Sequence, residues 1–159
     1  VFNHVFWPKN KHGFTLATVA PTFCFVKSNY SLTKAPILEA YAVGKHGMKM
    51  DNQDDETVVD DLLNFLSKMF RVNVEDMRSW LVQTRVGRWK KEEYSLGAYS
   101  YGSPQTEEED YEAFYESELD TLFFAGEHTN PEYRGTVHGA YLSGQRAAKD
   151  LLASMKSSS

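Results

Sequence analysis

The stretch Leu122 to Leu152 constrains this chain more than any other. Thr121-Leu122-Phe123-Phe124-Ala125-Gly126 is a short apolar run that ends in glycine, the pattern of a strand. A polar loop follows from Glu127 to Arg134. Gly135-Thr136-Val137-His138-Gly139-Ala140 then opens a helix that runs through Tyr141, Leu142, Ala147, Ala148, Leu151 and Leu152. Gly139, Ala140, Ser143, Gly144 and Ala147 make its first turns thin-walled, so whatever covers them comes close to the backbone. A planar ligand suits such a surface, because glycine admits close approach and the unpaired N–H groups of a helix start attract carbonyl or anionic oxygens. Glu127, directly after the strand, can accept hydrogen bonds from ligand hydroxyls. A tight helix–sheet contact suits the same small residues, and the residue types alone leave both readings open.

Upstream of this stretch the chain changes character. Residues 1 to 50 read as short strands: Phe14 to Ala20, interrupted by Pro21, then Phe23 to Val26, and Pro36 to Val43, closed by Gly44. Lys11-His12-Gly13, Ser28-Asn29 and Gly44-Lys45-His46-Gly47 read as turns, so a meandering, largely antiparallel sheet is expected. Thr57 to Phe70 carries apolar residues at 58, 59, 62, 63, 66, 69 and 70, one face of a helix. Acidic residues lead it and Lys68 and Arg71 end it, as the helix dipole prefers. Trp80 to Val86 reads as a strand. Gly87 to Pro104 is aromatic and glycine-rich with no period, a loop over a pocket or against a core. Glu107-Glu108-Glu109-Asp110 reads as a solvated acidic face or a helix start.

The formal net charge of -5 argues against non-specific binding to phosphate backbones. Aromatic residues reach 14%, and most are expected in a core. The single cysteine, Cys24, excludes an internal disulfide and a CxxC zinc pair, and its apolar neighbours predict burial. An intracellular compartment, cytoplasm or nucleus, is expected. His128 and His138 lack the HxxxH or HxxE spacing of a metal site, so no metal is expected. His4, His12 and His46 read as surface, and Trp7 and Trp80 as core. Ser100 and Ser143 lack the glycine-flanked elbow of a hydrolase nucleophile. No segment approaches the ~20 apolar residues of a membrane span.

Three segments, in this order, resemble the flavin-containing amine oxidases, in the branch of polyamine oxidases and lysine-specific histone demethylases. Lys34-Ala35-Pro36-Ile37-Leu38 through Val43-Gly44 is similar to a substrate-domain strand of the demethylases. Trp89, Tyr94 and Gly97-Ala98-Tyr99-Ser100-Tyr101 resemble the aromatic segment that ends beside the flavin. Phe124-Ala125-Gly126-Glu127-His128-Thr129, Gly135-Thr136-Val137-His138-Gly139-Ala140 and Ser143-Gly144 resemble the C-terminal flavin motif. The resemblance implies an α+β or α/β chain with a partial amine-oxidase fold. Residues 1–85 would be part of a mixed-sheet substrate domain. Residues 86–155 would be the C-terminal strand and helix of the FAD-binding domain, and 156–159 a tail.

The same resemblance implies roles. Glu127 would hold the ribityl or ribose-phosphate part of FAD, beside Gly126. Thr136 and Val137 would sit at the flavin ring, with the Val137 N–H toward a ring carbonyl. Trp89 and Tyr94 would pack near the ring system. Tyr99 would form one wall of an aromatic cage that steers the amine, and Thr136 would stand where monoamine oxidases carry the second cage tyrosine. Ala98 replaces their covalently flavinylated cysteine, so FAD is expected to be non-covalent. The implied reaction is oxidation of a C–N bond of a polyamine or methylated lysine by hydride transfer to flavin, with O2 as reoxidant. No GxGxxG occurs and the chain opens on Val1, so the ADP-binding unit is expected upstream, in the remaining N-terminal part of the same enzyme. This piece alone is expected to be inactive. Two alternatives stand beside this reading: a non-catalytic interaction module that keeps the fold, and an L-amino-acid oxidase of the same superfamily.

Overall fold

The computed structural model describes residues 1–16, 22–115 and 121–157. The chain divides into two compact units, Val1–Arg88 and Trp89–Ser159.

In the first unit, β1 (Gly13–Phe14), β2 (Phe25–Ser28) and β3 (Leu38–Tyr41) form a sheet in the order β1-β2-β3. Both pairings are antiparallel, with Phe14 opposite Val26, and Phe25 opposite Tyr41. The expected antiparallel meander is therefore present. The mixed sheet is not: no parallel pair occurs among the described residues, because the connections α1 (Tyr30–Thr33) and its flanking turns are too short for a crossover. Of the strand expected over Phe14 to Ala20, Phe14 joins the sheet and Thr15 and Leu16 do not; residues 17–21 lie outside the described set.

One face of the sheet is buried through Val26 and Ser28. Against it stands α3 (Asp55–Phe70), which buries Val58, Leu63, Phe65 and Leu66. Asp54 caps α3 by accepting from the Thr57 N–H at 2.7 Å and the Thr57 hydroxyl at 3.0 Å. These bonds hold the Asp54 carboxyl below the usual carboxylate range. Phe23, Leu63, Leu66 and Met77 are fully buried, each contributing about 1.5–3 kcal/mol of transfer free energy. Around them Phe2, Phe6, Trp7, Phe14 and Phe70 pack edge to face, with centroids 4.9 to 6.1 Å apart. The Trp7 indole N–H donates to the Ser28 hydroxyl at 2.9 Å, which satisfies both buried groups.

Four local expectations are corrected in this unit. Trp80 ends a helix, α4 (Val74–Trp80), rather than opening a strand. Asn73 caps α4 by accepting from the Glu75 N–H, and Glu75 and Asp76 fill its first turn. Residues 81–83 then pair with the chain start through one isolated bridge, Phe2 with Leu81, and Val82 N–H to the Val1 carbonyl at 3.0 Å. Gly44 to Gly47 does not stop at a turn but opens α2 (Gly44–Met50). Cys24 is exposed, just before β2; its thiol reaches the Tyr41 carbonyl at 3.2 Å. His46 is half-buried, whereas His4 and His12 are exposed.

The second unit contains a 3₁₀ turn at Trp89–Lys91, α5 (Glu108–Glu112), a 3₁₀ turn at Glu127–Thr129, and α6 (Val137–Ser157). The acidic run becomes a helix start: Glu107 caps α5, and Asp110 reaches back to the Glu107 N–H at 3.0 Å. The strand expected over Thr121 to Gly126 is not formed among the described residues. Leu122 alone of the run makes a bridge, so the pairing does not extend into a strand. Aromatic placement also differs between the units. Trp89, Tyr94, Tyr99, Tyr101, Phe114 and Tyr141 are exposed, so the expected aromatic core belongs to the first unit. Among the described residues, no helix is long and apolar enough to cross a membrane.

Replacing Asp54 with alanine should destabilise the first unit by about 1 kcal/mol, the usual cost of a lost N-cap. Thermal unfolding followed by circular dichroism checks this; an unchanged midpoint would exclude the cap as a stabilising element.

Candidate functional site

The second unit is gathered by one carboxylate. Glu127 accepts three hydrogen bonds: from the Ser100 N–H at 2.7 Å on Oε1, and from the Ser100 hydroxyl at 2.7 Å and the Gly135 N–H at 2.5 Å on Oε2. An ionised carboxylate has about four acceptor positions, so one remains on Oε1. Burial pushes the Glu127 carboxyl up, but the bonds from Ser100 and Gly135, with the nearby His128, outweigh it and hold the group below its ordinary range. Glu127 is therefore an anion whose main partners belong to its own chain.

Small residues of α6 let the Glu127–Thr129 turn sit against it. The Ser143 hydroxyl accepts from the Gly126 N–H at 2.9 Å and donates to the Ala140 carbonyl at 2.8 Å. Arg146 donates to the Thr129 carbonyl at 2.8 Å and the Phe124 carbonyl at 2.7 Å, and its guanidinium lies 4.2 Å over the Tyr115 ring. Thr129 and Ser143 are fully buried, and these bonds satisfy them. At Gly139 a Cβ would meet the Tyr133 carbonyl oxygen at 2.1 Å. At this position the small side chain serves a contact within the chain.

The expected site residues divide into two groups. Tyr99 joins Glu127: its Cδ2 lies 3.8 Å from where a Cβ on Gly135 would stand, and Gly135 holds a left-handed φ of 69° that favours glycine. Thr136 follows directly and caps α6, donating to the Tyr133 carbonyl at 2.6 Å and accepting from the Gly139 N–H at 3.0 Å. The Val137 and His138 N–H groups, at the start of α6, have no acceptor among the described residues, and Val137 is 89% exposed. Gly126 spends its N–H on Ser143 and its carbonyl on Thr129. Trp89 and Tyr94 stand apart: Tyr94 is 94% exposed, and neither lines the cavity beside Glu127. That open cavity, of 430 Å³, is bounded by the Ser95–Tyr101 loop, Glu127 and His128. Leu96 in its wall has a φ of 53°, a strained conformation for a leucine. Among the described residues, no cluster of three His, Cys, Asp or Glu groups could hold a metal ion.

The cavity thus collects an anionic carboxylate and an aromatic wall from segments far apart in sequence. Comparison with known proteins names the family these segments belong to. The sequence matches the family described as flavin containing amine oxidoreductase over residues 1–152. This chain belongs to that family. It is 36% identical over 152 residues to polyamine oxidase 5 of Oryza sativa subsp. japonica, covering 94% of this chain and 29% of that protein. It is 31% identical over 163 residues to a Drosophila melanogaster protein called "possible lysine-specific histone demethylase 1", covering 92% of this chain and 17% of that protein. It is 32% identical over 155 residues to lysine-specific histone demethylase 1 homolog 1 of Arabidopsis thaliana, covering 92% and 18%. The chain of this family member therefore spans less than a third of the length of each of these relatives.

Sequence reasoning missed Ser100 and Arg146 as the partners that hold the site. Ser100 precedes Glu127 by 27 residues, and no periodicity links them. Arg146 was legible only as a polar position on a helix otherwise rich in small residues.

Glu127 supplies a stability test with a defined sign. Its folded-state pKa is depressed, so its contribution is fully present above the unfolded value of about 4.3 and is lost as pH falls through the folded value. Glu127→Gln should lower the unfolding midpoint at neutral pH, and the gap from wild type should close below that range. Thermal melts from neutral to strongly acid pH check this; a gap that stays constant would remove the carboxylate's charge from the account.

Proposed function

We propose that this chain is the C-terminal part of an FAD-dependent amine oxidase that oxidises a C–N bond of a polyamine or a methylated lysine. The observation that carries the reading is the Glu127 carboxylate, which joins the Tyr99–Ser100 segment to the Gly135–Thr136 start of α6. Two of the three segments that resemble the family thereby meet at one group. In this reading residues 1–85 belong to a substrate domain and 86–155 to the FAD domain.

The residues fit a flavin at an observable point: the α6 start offers the Val137 and His138 N–H groups, which have no acceptor among the described residues. Bound FAD supplies the hydride acceptor for oxidising the carbon beside the amine nitrogen, with O2 as reoxidant. The Val137 N–H would donate to a ring carbonyl and favour negative charge there. Glu127 would take one ribityl or ribose hydroxyl at its remaining Oε1 position. Gly126, with both backbone groups occupied, contributes shape alone. Trp89 and Tyr94 would pack against the ring system. Ala98 leaves no thiol in the aromatic loop for a covalent link, so FAD is held non-covalently.

Tyr99 presents a π face that attracts the cationic head of an amine, and apolar surroundings favour its deprotonation to the reactive neutral form. Thr136, small and engaged in its cap, leaves the opposite side open. A long polyamine or a peptide-borne lysine suits that opening better than a small aryl amine. The remaining N-terminal part of the enzyme is the natural cover for α6. Val137, Tyr141, Leu152 and Met155 recur at helical spacing on it and are 89%, 65%, 58% and 61% exposed.

The visible spectrum of the complete protein tests the reading. A flavin band that is lost on denaturation without covalent attachment is expected. Folded protein with no flavin band would overturn the oxidase in favour of an interaction module. Peroxide release from spermine, N-acetylspermine, a methyl-lysine peptide and free amino acids then identifies the amine; release from free amino acids alone would overturn the substrate class. Tyr99→Ala should raise KM for the oxidised amine with flavin retained. Loss of flavin at unchanged KM would show that Tyr99 is not a substrate wall.

A further inference from the structure

We infer that Ser100 is a positioning residue, which sets the aromatic wall of Tyr99 against the start of α6 through the Glu127 carboxylate. This inference rests on the amine-oxidase reading, since it assigns Ser100 a role in handling the amine.

The geometry is specific. Ser100 is the only residue, among those described, that gives Glu127 two bonds, one from the backbone N–H at 2.7 Å and one from the hydroxyl at 2.7 Å. The hydroxyl shares Oε2 with the Gly135 N–H. Two points of attachment on one carboxylate fix both the position and the direction of the chain at residue 100. The preceding residue is Tyr99, whose ring edge lies beside Gly135. The distance from the Tyr99 ring to Thr136 is thus set by a single anion bonded on both sides.

Little else holds Tyr99. It is 59% exposed, and its hydroxyl makes no hydrogen bond among the described residues. Its loop contains Gly97, where an added Cβ would meet nothing within 4 Å, and Leu96 in a left-handed conformation. A loop with open space and backbone strain on one side of Tyr99 needs an anchor on the other, and Ser100 is that anchor. The Ser100 N–H bond survives any side-chain substitution except proline. The hydroxyl bond can be removed alone, so orientation can be loosened without detaching the segment.

The test is a double-mutant cycle in the complete flavin-loaded protein, with Ser100→Ala, Tyr99→Leu and the pair. The probe is spermine or, where spermine is not turned over, a dimethyl-lysine peptide. Ser100→Ala should raise KM about three- to tenfold, a coupling typical of residues in contact, while kcat and flavin content change less than about twofold. In the Tyr99→Leu background the same substitution should have almost no effect on KM. Ser100→Thr keeps the hydroxyl and should restore most of the wild-type KM. An equal KM effect in both backgrounds, or joint loss of flavin, kcat and KM, would overturn the positioning role. So would an unchanged KM in Ser100→Ala beside an active wild type, which leaves the amine-oxidase reading intact. A wild-type protein that oxidises neither probe nor any amine of the panel would overturn both.

Discussion

The second unit is organised by a carboxylate that is bonded on both sides by its own chain. Glu127 follows a glycine and opens a single 3₁₀ turn, so its side chain emerges at a fixed angle. Three donors converge on it, and one of them, Gly135, lies in the last turn before α6. Each such bond to an ionised group is stronger than a neutral one. Desolvation alone would favour the protonated acid, and the convergence of donors reverses that preference. Without the anion, the Ser95–Tyr101 loop and the α6 start would share no hydrogen-bonded group among the described residues.

Around that centre the packing is polar rather than apolar. Ser143 and Arg146 fasten the turn to α6 by bonds to the backbone of Gly126, Phe124 and Thr129. The first unit uses the opposite strategy. There, aromatic rings interlock over the sheet and α3, and a buried side-chain bond, Trp7 to Ser28, completes an apolar core. A polar hub suits a site, because its geometry is set by directional bonds and leaves aromatic faces free. An aromatic core suits a support.

Family membership follows from the match over residues 1–152 and from relatives named polyamine oxidase and histone demethylase. Small residues at the α6 start, which the sequence presents as room for a ligand, are partly accounted for within the chain. Gly139 accommodates the Tyr133 carbonyl, and Ser143 serves Gly126. What stays open to a ligand is narrower: the Val137 and His138 N–H groups, one acceptor position on Glu127, and the face of Tyr99.

By itself the sequence determined the elements whose signals are local. The apolar period of α3, its acidic start, the antiparallel order of β1 to β3 and the span of α6 all follow from residues within one or two turns of each other. Motifs of adjacent residues also singled out Glu127 and Tyr99 as candidates. Only the tertiary structure decided what depends on distant partners. Trp80 went to a helix because Asn73 caps it, and the Thr121–Gly126 run forms a single bridge at Leu122 rather than a strand among the described residues. Glu127 became a junction because Ser100 and Gly135, remote along the chain, bring their donors to it. Hydrogen-bond satisfaction is a property of the folded neighbourhood, and no pattern in the order of the residues records it.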